Sequence, residues 1–237
     1  MTELPRVLEQ LWGIEGRQRP GPKPAFHISD IGRAAIKLAD AGGLPAVSMS
    51  KVAAELGFTT MSLYRYVDAK DDLYTVMLDH AFGEPPALDQ PGWRSRITAW
   101  AEAFRDAMVR HPWILQVPVF EPPLSPNQLA WMEHGLLAFE DTALTGPERM
   151  SAMLLVNIYV RGAVQITADM QTRSPEEARE RDRLYAERLQ LLADPERFPA
   201  INAGMAGFEE ADDDPSEFAF GLETVLDGIQ ARIDRSA

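Results

Sequence analysis

The sequence contains no cysteine. That removes disulfides, thiolate nucleophiles and cysteine-ligated zinc at once. Its four histidines, His27, His80, His111 and His134, are too widely spaced to supply the HxxxH pair of a helical zinc site. No G-x-S-x-G elbow, P-loop or dinucleotide fingerprint occurs, and no two carboxylates fall into a shared apolar cleft. No uninterrupted apolar run approaches the ~18 residues of a membrane-spanning helix. The N-terminal stretch carries Glu3, Glu9 and Glu15 and lacks a signal-peptide pattern. Strand-like alternation and internal repeats are both missing. What remains is an all-α, cytoplasmic chain, expected to be a non-enzyme with no cofactor and no metal site.

The chain has 237 residues, 46% of them hydrophobic, enough to bury a sizeable core. Its net charge of −13 is unevenly spread. Residues 17–70 hold eight basic and four acidic side chains, whereas residues 71–237 hold 14 basic and 29 acidic ones. Such segregation presents one face to a polyanion and repels it elsewhere. The plainer reading is an acidic helical protein with a near-neutral N-terminus.

The stretch from Ser48 to Val67 separates the two readings. It reads as two short helices joined by a tight turn at Gly57. Val52, Ala53, Leu56 and Phe58 fall where the first helix and the turn must face a core, and Leu63 and Val67 repeat the signal on the second helix. Thr59, Thr60, Ser62, Tyr64, Arg65 and Tyr66 are left on the other faces. Hydroxyls and a guanidinium together can bond phosphate oxygens and base edges, as a DNA recognition helix must.

Gly57-Phe58-Thr59, Ser62-Leu63-Tyr64-Arg65-Tyr66-Val67, Lys70 and Leu73 follow, at the same spacing, the run that marks the DNA-binding domain of TetR-family transcriptional regulators. The sequence resembles that family from Ile28 to about Phe82. The resemblance implies a three-helix helix-turn-helix domain over residues 28–84, with the motif itself at 48–67. It makes Ser48, Ser50, Lys51, Thr59, Thr60, Met61, Ser62, Tyr64, Arg65, Tyr66 and Lys70 the candidate DNA-binding residues. Ahead of the domain, residues 1–27 include the basic Pro/Gly tract Gly16 to Pro24. It reads either as a solvated tail or as an arm reaching phosphates or the minor groove. Leu4 to Trp12 carries the pattern of a short amphipathic helix.

Local signals set the helix ends. Ser29 is the expected N-cap of the first domain helix, which Gly42-Gly43 ends, and Ser48 is that of the next. Glu84-Pro85-Pro86 to Pro91-Gly92 marks the expected domain boundary. Beyond it, amphipathic helices are expected from Trp93 to Arg110, from Ser125-Pro126 to about Thr142, from Thr145-Gly146-Pro147 to about Met170, and from Ser174-Pro175 to Ala193. Residues 194–214 read as a loop. A last helix carries Phe218, Leu222, Val225, Leu226 and Ile229.

Residues 92–237 form the expected effector-binding and dimerisation domain. They are rich in Trp, Phe and Met, side chains that line adaptable cavities and that equally fill a packed core. Asn157, Arg161 and Gln165 recur at i, i+4 and i+8 on an otherwise apolar helix, so they need a partner helix or a ligand. The candidate ligand-binding residues are Trp100, Phe104, Met108, Trp113, Trp131, Met153, Asn157, Arg161 and Gln165. Trp93 onward, His111-Pro112-Trp113 and Tyr159 to Gly162 resemble the tetracycline-repressor-like C-terminal domain, which implies an effector pocket and a dimer-forming helix pair. Tetracycline-binding members hold the drug's magnesium with a histidine that is absent from Gln116-Val117-Pro118-Val119, and a bulky Trp100 stands where a polar amide is expected. A more apolar effector follows.

The expected function is that of a repressor, homodimeric on a double-stranded pseudo-palindromic DNA operator and released by a small hydrophobic effector, with no membrane partner. Residues Pro147–Met170 and Pro215–Ile233 are expected to pair with their symmetry mates as the dimer interface, with Leu222, Val225, Leu226 and Ile229 on one face of the last helix; the plainer reading is that this face only caps the subunit's own core. Two readings stay open beside it: a TetR-type activator, and a helical small-molecule-binding protein or enzyme with no DNA function.

Overall fold

The computed structural model describes residues 4–14, 26–118, 122–170, 174–208 and 217–236. Every regular element among them is helical. The helices are α1 (Arg6–Leu11), α2 (Ile28–Gly42), α3 (Met49–Glu55), α4 (Thr60–Leu63), α5 (Lys70–Phe82), α6 (Gly92–Arg110), α7 (Pro126–Leu137), α8 (Gly146–Asp169), α9 (Pro175–Leu192), α10 (Pro199–Phe208) and α11 (Glu217–Ser236). Single 3-10 turns cover Leu44–Ala46 and Pro112–Gln116.

Caps and prolines place the helix starts. Ser48 Oγ accepts the Lys51 backbone N–H at 3.3 Å to open α3. At α8 the Thr145 backbone N–H and hydroxyl both donate to Glu148 Oε2, at 2.9 and 2.8 Å. Arg232 of α11 reaches the other oxygen of the same carboxylate at 2.6 Å. The Thr145 contacts come first among the causes that lower the Glu148 pKa to about 2. Ser29 caps nothing: α2 begins two residues earlier than that cap would place it, and Asp30 accepts the His27 backbone N–H at 2.7 Å, making His27 the cap. A carboxylate three residues into the helix outcompetes the serine because it also meets the positive helix end.

α2 packs on α5, and α8 packs on both α6 and α11, which also meet each other where Arg94 donates to Asp227 at 2.6 Å. One continuous apolar core runs from Val7 in α1 to Ile233 in α11. The α8–α11 contact is close at Gly221, where a Cβ would fall 2.3 Å from the Tyr159 hydroxyl. That hydroxyl donates to the Phe218 carbonyl at 2.8 Å, so only glycine fits there.

Four expectations change. Phe58 is 39% exposed, because the turn at Gly57 (φ +75°) swings it out to lie against Phe26, ring centroids 4.8 Å apart. α7 ends at Leu137 rather than near Thr142; a turn follows in which Thr142 Oγ1 donates back to the Phe139 carbonyl. Within 194–214, α10 is a helix: Pro199 supplies its preset first residue, and Asn202 Nδ2 ties it to the Ala193 and Phe198 carbonyls. The run Asp212 to Asp214 lies outside the described residues.

The fourth correction concerns the last helix. Leu222, Leu226 and Ile229 are buried within the chain, against its own α8, so that face is not left for a second subunit. The uncovered apolar face belongs to α8 itself, where Met150, Leu154, Leu155, Ile158 and Ile166 are all at least 45% exposed. α8 is long and apolar enough to cross a membrane, yet only 22% of its most apolar stretch is buried in the chain. The polar stripe Asn157, Arg161 and Gln165 interrupts that apolar surface, and a helix facing lipid all round rarely carries such groups.

Candidate nucleic-acid interface and effector site

α3, the Gly57 turn and α4 form the two-helix unit. Val52, Ala53, Leu63 and Val67 are at most 1% exposed and fix it to the core. α4 is a single turn, and Tyr64 to Tyr66 continue it as a turn rather than as helix. Ser50, Lys51, Thr59, Met61, Tyr64, Arg65 and Lys70 are exposed, and Ser48, Thr60, Ser62 and Tyr66 are half-buried. Met61, at 75% exposure, projects furthest among the apolar side chains here. The hydroxyls pair locally: Thr59 Oγ1 lies 3.1 Å from Ser62 Oγ, and Ser48 Oγ 3.2 Å from Ser50 Oγ. The surface thus offers hydroxyls, exposed cations and one thioether on a rigid support.

Two of the candidates do structural work as well. Ser48 caps α3, and the Tyr66 ring lies against Phe26, centroids 4.4 Å apart. Lys70 sits over the Tyr74 ring at 5.3 Å, a position that still leaves the ammonium exposed. α1 braces the same end. Its Arg6 pairs with Asp68 at 3.2 Å, and its Val7 and Leu8 are buried. The basic arm from Arg17 to Lys23 lies outside the described residues.

Asp79, Asn127 and Asp40, which the sequence did not single out, stitch the two halves of the chain together with Trp131 and Trp113, which it gave as ligand candidates. Asp79 of α5 is 4% exposed and accepts the Asn127 backbone N–H at 2.8 Å and its side-chain amide at 3.1 Å. Trp131 Nε1 donates to the Gly83 carbonyl at 2.9 Å. On the other side, Asp40 near the end of α2 meets Trp113 Nε1 at 2.7 Å and His111 Nδ1 at 2.8 Å. The available signal was Asp79 directly after the apolar run Val76-Met77-Leu78 in a helix, because a buried carboxylate needs donors.

The nine ligand candidates do not converge on one cavity. Trp100, Phe104 and Trp131 interlock, with centroids 4.9 to 5.9 Å apart, and Phe82 stacks on Phe104 at 5.1 Å. The Trp100 indole N–H donates to the Trp131 carbonyl at 2.9 Å. Such rings, with their N–H groups satisfied, behave as packed core. Met108 is fully buried, and Trp113 belongs to the Asp40 contact. Met153 lies against Gly135 of α7, where a Cβ would meet its sulfur at 2.9 Å. Arg161 sits over Phe104, its guanidinium carbon 5.7 Å from the ring centroid. Gln165 Nε2 donates to Asp169 at 2.8 Å along its own helix. Two surface depressions lie elsewhere, one on α9 and one lined by α2 and the α3 end. Met153, Asn157 and Arg161 therefore form a half-buried stripe on α8 bordering the aromatic cluster.

Comparison with known proteins gives concordant results. Residues 31–77 match the family described as bacterial regulatory proteins, tetR family. Residues 85–233 match the tetracyclin repressor-like C-terminal domain. The chain is 36% identical to the HTH-type transcriptional repressor DrrR1 of Streptomyces coeruleorubidus, covering 98% of this chain and 87% of that one. It is 32% identical to an HTH-type transcriptional regulator of Saccharopolyspora erythraea, covering 88% and 86%. The crystal structure of the Streptomyces coelicolor TetR family protein ActR in complex with actinorhodin superposes with a TM-score of 0.75 at 23% identity, covering 90% and 99%.

Proposed function

The chain belongs to the TetR family of bacterial regulatory proteins and is a DNA-binding transcriptional regulator, and from that premise we propose that it is a cytoplasmic, homodimeric repressor released from its operator by a small apolar effector. The observation that carries the reading is the α3–α4 surface. Lys51 and Arg65 stand exposed there beside Thr59, Thr60, Ser62 and Tyr64, with no acidic side chain paired to either cation among the described residues. A recognition helix needs such groups aimed outward from a fixed support. Residues 28–84 act as the DNA-binding domain and residues 92–237 as the effector and dimerisation domain.

The bare apolar face of α8 supports the dimer. A helix so apolar and so little covered in one chain gains most by pairing with its symmetry mate, and a two-fold pair places two recognition helices on successive major-groove faces of a pseudo-palindrome. Repression is favoured by the name of the DrrR1 relative, and an effector by the ActR complex with actinorhodin. An effector that enters beside Trp100, Phe104 and Trp131 has to part α6 from α7. Trp131 is bonded to Gly83 at the end of α5, so that movement carries the DNA-binding domain with it. Release then equals the effector's differential affinity for the two arrangements.

The test is fluorescence anisotropy on inverted repeats flanking the gene, titrated with salt. Tight binding with a steep negative salt slope is expected. Binding to none of the repeats, or binding indifferent to salt, overturns the reading.

A further inference from the structure

Arg161 is an anomaly among the cations. Of the described lysines and arginines that are not exposed, the others are partnered: Arg94 by Asp227, Arg96 by Glu140 and Asp141, Arg105 by Asp106, and Arg149 by the carbonyls of residues 140, 142 and 144. The Arg161 side chain alone has no ion pair and no hydrogen bond among the described residues, only the ring of Phe104. Burial pushes its guanidinium pKa below the ordinary value, with no carboxylate to oppose it. A half-buried cation with no carboxylate beside it is unusual, because folded chains ordinarily pair a charge that burial strips of part of its water. One turn earlier Asn157 is half-buried and likewise makes no hydrogen bond among the described residues. A turn before that, Met153 lies where a Cβ on Gly135 would meet both its sulfur and Trp100. The stripe therefore grades from thioether and indole, through an amide, to a cation, within about the 12 Å that eight helical residues span.

We propose that Arg161 anchors an acidic oxygen, carboxylate or ionised phenol, of an aromatic effector whose ring system lies along Phe104 and Trp100. This rests on the effector-released reading above and adds its chemistry: an elongated aromatic acid rather than a neutral or cationic apolar ligand. The planar fork receives two oxygens at once, and Asn157 supplies a further amide for a neighbouring keto or hydroxyl group. The cation–π contact keeps the guanidinium over Phe104, 5.7 Å from the ring centroid, so the fork is already beside the aromatic cluster before a ligand arrives.

Two probes with the same rings separate the possibilities: 8-anilinonaphthalene-1-sulfonate carries an anion, and N-phenyl-1-naphthylamine carries none. Both are titrated by fluorescence into the full-length protein, as wild type, Arg161→Gln and Arg161→Lys. Operator binding without probe serves as the check that each variant is folded. The wild type should prefer the anionic probe by about 10- to 100-fold, the range of one charge-assisted contact. Arg161→Gln should lose that preference while keeping its affinity for the neutral probe, and Arg161→Lys should keep part of it. The anionic probe should also weaken operator binding of wild type and not of Arg161→Gln. An anion preference unchanged in Arg161→Gln overturns the anchor and leaves the effector reading standing. So does an Arg161→Gln protein that becomes monomeric with unchanged probe selectivity, because the missing partner is then a carboxylate of the second subunit. If the wild type binds neither probe, the effector site itself fails, and the proposal fails with it.

Discussion

Replacing Ile158 by glutamate should split the proposed dimer without unfolding the subunit. Ile158 is 58% exposed on the bare face of α8. Fully burying an isoleucine side chain is worth about 1.5–3 kcal/mol. Roughly 0.6 of that, about 0.9–1.7 kcal/mol, is still to be gained at this position when a partner covers it. A two-fold interface presents the residue twice, which doubles the loss to about 1.7–3.5 kcal/mol, or a 20- to 400-fold weaker dimer. Placing two unpaired carboxylates in that face adds to the loss. Sedimentation velocity across a concentration series should show the variant dissociating where the wild type stays dimeric, with unchanged helix content by circular dichroism. Operator affinity should collapse in parallel, although Ile158 lies in the effector domain. Leu226→Ala is the contrasting variant: Leu226 is 1% exposed inside the subunit, so the cost of about 2–5 kcal/mol falls on folding and not on assembly. A folded Ile158→Glu protein that remains dimeric and binds the operator normally refutes the assignment of α8 as the interface.

Much of the fold was legible because the signals were local. Ile97, Trp100, Ala101, Phe104, Ala107 and Met108, the apolar stripe of the expected Trp93 to Arg110 helix, are all buried, and the Thr145 and Ser174 starts lie where the residues indicate. What the sequence could not resolve was which of two apolar faces meets its own chain. α8 is apolar on most of its circumference, so periodicity gives no direction, and α11 has one clear stripe that any neighbour can cover. The tertiary arrangement sends the α11 stripe inward and leaves α8 bare. The same ambiguity affected the aromatic residues. Composition cannot distinguish a ring that lines a cavity from one that fills it, and the interlocked Trp100, Phe104 and Trp131 are the second kind. The polar stripe was more informative. Its spacing alone placed Asn157 and Arg161 on one face, and the structure leaves both without a hydrogen-bonding partner among the described residues.

These placements give the proposed release mechanism a physical route. Trp131 touches Trp100 and Phe104 with its ring and holds the Gly83 carbonyl with its indole N–H. Gly83 ends α5, whose first residue is Lys70 beside the recognition segment. Asp79, between them, is pinned to the start of α7 by Asn127. A displacement at the aromatic cluster therefore has a stiff, hydrogen-bonded path into α5. The Asp40 contacts to His111 and Trp113 act differently: they tie the far end of α2 to the end of α6. Rotation of α5 with α7 about that second tether changes where α4 points, which is the change in spacing that an operator registers.

Three further outcomes follow from the geometry. Arg65→Ala should cost about 1–3 kcal/mol of operator affinity and relax the preference at one base pair, whereas Lys70→Ala should weaken all sequences alike and reduce the salt slope by roughly one; anisotropy titrations on mutated operators separate them, and an Arg65 variant with unaltered preference would place its guanidinium off the bases. Glu148, held at a pKa of about 2 by Thr145 and Arg232 against an ordinary 4.5, favours the fold above pH 4.5. That advantage fades as the pH falls through about 2, so urea midpoints of wild type and Glu148→Gln should differ at pH 7 and converge towards pH 2. Asn127→Ala removes the amide bonds to the Asp79 carbonyl and carboxylate and leaves that buried carboxylate with the backbone N–H of residue 127 and the His80 ring, whose Nδ1 lies 4.0 Å away. A buried charge that loses one partner costs about 1.5–3 kcal/mol, and here that cost falls on the junction between the halves rather than on either core. Calorimetry of the wild type should show the two halves melting together, because Asp79 and Trp131 join their cores. The variant should show a lower-temperature transition for the DNA-binding half, with the remainder melting near the wild-type midpoint. A single, unshifted transition in Asn127→Ala would mean that the Asp79 contact does not carry the coupling.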